Sequence, residues 1–269
     1  MKRAMLSLGA ALALTLPWAF LGVPTASAVP VTSWDYTASA GFTAFAPIPS
    51  VVGTPPGDGT PPGATTRLQW GGDTGFGQSA LEILEPNPIS GTVLTGGPSV
   101  FDIAITHENN PITGTTLTSA TITGSLTLTP LLPPGPAVPL PPLPFSIAFA
   151  ETVNAACTFP SVSVCDDIFV LTSPAFPVTF PLFTGGEAYL ITLTVGTLGP
   201  LPALTCGAAG VPAGCVGLTT PEGADSTVPV RLAITAVPEP STILLLGSGL
   251  AALTLCARKK VSKKVKETA

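Results

Sequence analysis

The run TTLTSATITGSLTLT, Thr115 to Thr129, decides the fold class. Ala120, Ile122, Leu126 and Leu128 fall on one face, while Ser119, Thr121, Thr123, Ser125, Thr127 and Thr129 fall on the other. A strict period of two, rich in β-branched residues, is the pattern of a half-buried antiparallel strand, and no 3.6-residue period competes with it. The same alternation recurs on both sides. Val31 to Ala38 sets Trp34 and Tyr36 against Ser33, Asp35 and Thr37; Val100 to Thr106 aligns Phe101, Ile103 and Ile105; Phe145 to Thr152 aligns Phe145, Ile147, Phe149 and Glu151. Further strands are expected at Thr65 to Trp70, Ala80 to Leu84, Ile168 to Leu171 and Val228 to Thr235. Pro177 to Phe183 and Glu187 to Val195 read as a hairpin through Gly185-Gly186, with Tyr189, Ile191, Leu193 and Val195 inward. Ala46 to Gly63 is rich in Pro and Gly and reads as an irregular loop. Pro130 to Pro144 holds eight prolines in fifteen residues and reads as an extended, polyproline-like spacer on the surface, since Pro cannot donate to a ladder. About ten short strands without a helical stretch predict one all-β domain, a β-sandwich or jelly-roll-like fold.

The two ends of the chain have a different composition. Lys2 and Arg3 precede an apolar run from Ala4 to Val23, and Ala26-Ser27-Ala28 presents small residues at the spacing of a signal-peptidase site. Residues 1–28 are therefore expected to be a signal peptide cut after Ala28, with a lasting N-terminal anchor as the alternative. At the other end, Pro238-Glu239-Pro240 leads into an uncharged segment from Ile243 to Ala257 and then the basic stretch Arg258-Lys259-Lys260 to Lys266. Residues 237–269 read as a sorting tail and 29–236 as the exported body. The apolar segment is shorter than the roughly 20 residues a span usually needs, although lysines can snorkel. A permanent single-span anchor with its basic end in the cytoplasm is the alternative to processing.

Setting the ends aside changes the charge. The chain has ten Lys+Arg and fifteen Asp+Glu, a formal net charge of −5. Between the ends only Arg67 and Arg231 remain against thirteen carboxylates, so the body carries −11 and no lysine. Such a surface repels nucleic acid and anionic headgroups, and no nucleic-acid partner is expected. Four body cysteines allow three pairings. The local one, Cys157–Cys165 and Cys206–Cys215, is expected because each pair brackets a short loop; a four-cysteine zinc site would want Cys-x2-Cys spacing.

The tail resembles the PEP-CTERM sorting signal of bacterial envelope proteins in its three ordered elements, Pro238-Glu239-Pro240, Ile243 to Ala257, and Arg258 onward. The resemblance implies a transient stay in the inner membrane, an exosortase-type membrane protease that cuts near the Pro-Glu-Pro, and a bacterium that makes exopolysaccharide. Thr106-His107-Glu108-Asn109 is similar to the name-giving motif of a narrower set, the THxN-type PEP-CTERM proteins. Leu68 to Gly71, Gln78-Ser79, Glu151 to Asn154 with Cys157, Cys165 to Phe169, and Gly217 to Glu222 extend that likeness across the body. It brings no activity with it.

His107, the chain's single histidine, follows Phe101, Ile103 and Ile105 in phase, and Glu151 ends the row Phe145, Ile147, Phe149 in the same way. The two are expected to meet at one end of the domain, the carboxylate accepting from the imidazole and fixing the Asn109-Asn110-Pro111 turn. Neither a Gly-x-Ser-x-Gly elbow nor a second histidine is present, so no catalytic residues, no metal and no cofactor are expected. Calcium on Asp102, Glu108, Asn109, Asn110, Asp166 and Asp167 is the alternative, weak for want of an Asp-x-Asp-x-Asp-Gly loop. Trp34, Tyr36 and Trp70 are expected in the core, with an exposed sugar platform as the functional alternative. The reading that results is an exported envelope or matrix protein with a structural or adhesive role, then a carbohydrate- or calcium-binding module, and last a hydrolase.

Overall fold

The computed structural model describes residues 29–54, 62–152, 156–238 and 248–249. The signal-peptide residues Ala26 and Ala28, and Glu239, Pro240, Ile243, Ala257, Arg258, Lys259 and Lys260 of the tail, lie outside them. In chain order the strands are β1 (Ser33–Ala46), β2 (Val52–Thr54), β3 (Arg67–Trp70), β4 (Gly72–Asp73), β5 (Ser79–Ile83), β6 (Ile89–Leu94), β7 (Val100–Glu108), β8 (Ile112–Thr113) and β9 (Ser119–Leu132). They continue as β10 (Val138–Pro139), β11 (Leu143–Ala150), β12 (Asp167–Ser173), β13 (Val178–Thr184), β14 (Glu187–Val195) and β15 (Gly199–Pro200). A short helix, α1 (Ala203–Ala208), precedes β16 (Val216–Thr220) and β17 (Asp225–Ala236).

Fifteen of these strands make an eight-stranded sheet in the order β15-β16-β12-β11-β9-β1-β6, with β10 also on β9, and a seven-stranded sheet in the order β13-β14-β17-β7-β5-β3-β2, while β4 and β8 pair with each other. The all-β expectation holds. The decisive run is β9, central in the larger sheet and paired with β1 on one side and β11 on the other. Its apolar row is buried, as read from the sequence. Its other face is dressed by cross-strand hydroxyl pairs, Ser39–Ser125 at 2.7 Å and Thr43–Thr123 at 2.9 Å, the contacts by which a threonine-rich face stabilises its ladder.

Apolar rows of both sheets form one core, with Trp34, Phe42, Ile122 and Leu128 from the larger sheet and Leu68, Leu81, Tyr189 and Ile191 from the smaller. The layers are also tied by hydrogen bonds. Trp34 meets Tyr189 edge-on at 4.9 Å between centroids, the Val31 N–H donates to the Tyr189 hydroxyl at 2.6 Å, and Tyr36 donates across to the Phe101 carbonyl at 2.5 Å. At two seams the backbones join: Phe42 exchanges two hydrogen bonds with Thr65, and Gly96 donates to Ile234. The two sheets therefore curl toward each other at these edges.

Several expectations are corrected. The proline-rich segment is not a free spacer: Val138 and Pro139 pair with Leu128 and Thr127, so it folds back along β9. Proline forbids only its own donor, and neighbouring residues still bond. The Pro/Gly-rich stretch after Ala46 contains β2, which edges the smaller sheet beside β3. Helix α1 lies inside the Cys206–Cys215 disulfide loop, too short to leave a period in the sequence. That loop and its neighbours cover the outer face of β12, so Ile168 and Val170 pack against Leu201, Val211 and Cys215 while Phe169 faces the main core. Among the described residues no helix is long and apolar enough to cross a membrane.

Candidate functional site

The polar residues at the inward ends of three strands converge at one end of the molecule. On the smaller sheet, β3, β5 and β7 are in register, with Leu68 opposite Leu81 and Leu81 opposite His107, which brings Trp70, Ser79 and His107 to the same region. On the larger sheet Ala150 pairs with Ile168, so the next residues out, Glu151 and Asp167, face each other. His107, Glu151 and Asp167 each aim one ligand atom into the gap, and all three atoms lie within 4.8 Å of one another.

Aromatic packing fixes the histidine. Its ring stacks on Trp70 at 5.9 Å and 15° and meets the edge of Phe149 at 4.8 Å, while Trp70 and Phe149 touch at 5.2 Å. His107 is 2% exposed and neither ring nitrogen has a hydrogen-bond partner. Its Nε2 stands 3.7 Å from Asp167 Oδ2, too far for a hydrogen bond. Asp167 is fully buried; its Oδ1 accepts from the Thr152 N–H at 2.8 Å, while Oδ2 meets no donor group, and the carboxyl lies within hydrogen-bonding reach of that of Glu151. Glu151 Oε2 accepts from Trp70 Nε1 at 2.7 Å, and Oε1 lies 3.3 Å from the Ser79 hydroxyl, whose one proton is shared with the Asn110 carbonyl at 3.0 Å.

Burial dominates the electrostatics. It pushes the Asp167 carboxyl up to about 9, with the Glu151 charge adding to the effect. It pushes Glu151 up to about 7 and His107 down to about 3. The carboxyl of Glu222, raised by burial, bears on both Glu151 and Asp167, and neither of its shielded oxygens has a partner. The arrangement is thus one imidazole nitrogen and two carboxylates with free lone pairs, a donor set for a shared proton or a divalent cation.

The predicted meeting of His107 and Glu151 is present, but the bond assigned to it is not. Glu151 accepts from Trp70 and Ser79 rather than from His107. The Asn109-Asn110-Pro111 turn is held by other groups: Asn110 N–H donates to the Ser79 hydroxyl at 3.2 Å, Asn110 Nδ2 to Gln78 O, and Thr74 to Pro111 O. The motif residues divide their work. Thr106 points away, its hydroxyl 3.0 Å from that of Thr227. Asn109, buried, donates to Thr220 O at 2.9 Å and accepts from Gly223 N–H, so it clamps the turn that carries Glu222. Asp167 was missed as a partner of His107. The signal was there, since Asp167 precedes Phe169 in the inward row as Glu151 follows Phe149.

The oxygen set for calcium does not assemble. Glu108 is held by a bidentate ion pair to Arg67 at 2.6 and 2.7 Å, which keeps its carboxyl low despite partial burial. Asp166 closes its own loop, accepting from Val162 N–H, Ser163 N–H and the Ser163 hydroxyl, and Asp102 lines a cavity between the sheets. The sugar platform is likewise overturned, because Trp34 and Trp70 are 0% exposed and Tyr36 5%. The sulfur chemistry is split: Cys206 and Cys215 are bonded, whereas Cys157 and Cys165 are free thiols.

Residues 236–260 match the PEP-CTERM protein-sorting motif. That motif implies export, a membrane-associated C-terminal sorting signal and processing by an exosortase, a membrane protease. No curated protein matches the chain.

Proposed function

We propose that this chain is an exported bacterial envelope protein, divided into a leader (1–28), a β body (29–236) and a removable handle (237–269), whose body has a non-catalytic, structural or adhesive place in an exopolysaccharide layer. The supporting observation is the position of the motif. It begins at residue 236, where β17 ends, and β17 is paired on both sides, with β14 and with β7. The last backbone contact of this ladder is the Val237 N–H on the Ala188 carbonyl at 2.8 Å, so a cut after Pro238 removes no strand and exposes no ladder. Loss of the leader and the handle together removes eight of the ten Lys and Arg residues and leaves the lysine-free, −11 body, a form that stays soluble and repels anionic membrane surfaces. Intact-mass measurement of the protein recovered from cells tests the processing. A body ending near Val237 to Ser241 is expected, and a product retaining Ala269 would instead identify a lasting anchor. Retention of the recovered body in the polysaccharide fraction, lost in a strain lacking that polymer, tests the role.

A further inference from the structure

We propose that His107, Glu151 and Asp167 bind one divalent transition-metal ion of zinc's class, which ties the two sheets together at this end of the molecule. The cluster is more than a group of carboxylates. His107, buried, has two unpartnered nitrogens, and fully buried Asp167 has an oxygen that meets no donor group, its carboxyl having only that of Glu151 to share a proton with, although buried polar groups are otherwise nearly always bonded. The unpartnered atoms face each other. The 3.7 Å between Nε2 and Oδ2 is close to the roughly 3.3–3.5 Å separating two ligand atoms on one tetrahedral zinc with bonds of about 2.0–2.1 Å. The 4.8 Å limit on the three atoms leaves only a small side-chain adjustment to complete the set.

The groups around the cluster do what outer-shell partners do in metal sites. Thr152 holds Asp167 by its other oxygen, which leaves Oδ2 free to ligate. Trp70 and Ser79 orient Glu151 and leave lone pairs on both oxygens. The imidazole plane is set by Trp70 and Phe149 rather than by a hydrogen bond from the second nitrogen. Charge decides further. Two carboxylates cannot both ionise side by side in a buried site without compensation, and the neighbouring cation, Arg67, is committed to Glu82 and Glu108. A divalent ion with two carboxylates and a neutral imidazole is a neutral unit, the form that burial tolerates. One nitrogen and two oxygens suit zinc with a fourth, non-protein ligand. Calcium, which takes six to eight oxygens, is poorly served. Trp70, Ser79, His107, Glu151 with Thr152, and Asp167, from five separate stretches of the sequence, supply or brace this one cluster.

The full-length protein, freed of metal with a chelator, is titrated with Zn²⁺ against a chromophoric competitor while its Tm is followed. One ion per chain and a raised Tm are expected. His107→Gln and Asp167→Asn abolish the saturable binding, and Trp70→Phe, which removes the donor to Glu151, weakens it by about 10–100-fold. The Cys157→Ser/Cys165→Ser variant binds as wild type, and Co²⁺ in place of Zn²⁺ shows d–d bands without thiolate charge transfer. If His107→Gln fails to fold, the isosteric Asp167→Asn and the Co²⁺ spectrum still decide. No saturable binding, binding that survives Asp167→Asn, or binding lost with the cysteines would overturn the proposal and leave a purely proton-sharing carboxyl pair.

Discussion

Asp102 shows how far burial alone can displace a side chain from its ordinary chemistry. It is 5% exposed beside the apolar cavity formed by Ile103, Leu126, Phe145 and Leu193, and one carboxyl oxygen has no partner. Desolvation pushes its pKa up to about 7. Because the folded value lies above the unfolded one, near 3.9, its contribution to stability is whole below about pH 4 and is lost as pH rises through 7. Asp102→Asn is therefore expected to match wild type at pH 4 and to exceed it by about 2–4 kcal/mol at pH 8; chemical denaturation at the two pH values measures this, and an equal difference at both would refute it. His107 runs the opposite way. Its value is depressed to about 3 by burial, so its contribution is present above about pH 6.5 and lost as pH falls toward 3. Part of this was legible in the sequence. His107 and Glu151 were polar residues in core phase, so their inward placement followed from period alone. Which atoms they bond did not follow, because Trp70 and Ser79 reach Glu151 from another sheet.

At the scale of elements, β12 and β16 depend on a close approach. A side chain on Gly217 would run into the Phe169 carbonyl oxygen of β12, which belongs to the residue facing Leu218 in the ladder. Gly217→Ala is expected to cost about 1–3 kcal/mol, the range for forcing atoms into a packed interior, and to loosen amide-exchange protection in β16 before that in β9. A uniform loss of protection would argue against a local effect. The neighbouring disulfide loop has its own test. By loop entropy a bridge across this nine-residue separation contributes about 2.5–3 kcal/mol, so Cys206→Ala/Cys215→Ala should lower the unfolding free energy by about that amount while the far-ultraviolet spectrum stays β-type. The strands with clean alternation were readable: β7, β9, β11 and the β13–β14 hairpin all lie where period and Gly185-Gly186 put them. Helix α1 and strands β2, β6, β10 and β16 were not. They are short, carry no sustained period, and owe their conformation to the strand or disulfide beside them.

For the whole molecule the decisive fact is that β17 ends at Ala236, where the sorting motif begins. A chain ended at Pro238 is expected to unfold at the same temperature as the recovered full-length protein, since β17 closes at Ala236 within its sheet. A Tm several degrees lower would mean that the handle contributes to the body, and processing would then be a change of state rather than a release. The sequence by itself determined the class of fold, the acidic body and the sorting tail, because these depend on residue order along the chain: a period of two, a charge count, three consecutive signals. Only the tertiary structure decided that Trp70, His107, Glu151 and Asp167 belong to one place. They come from four strands or strand ends in two sheets, and their proximity is set by register and by the facing of two layers, which no local pattern encodes. The same cause explains the aromatics: whether Trp70 faces a ligand or the core depends on what lies above its sheet, and here that is the other sheet.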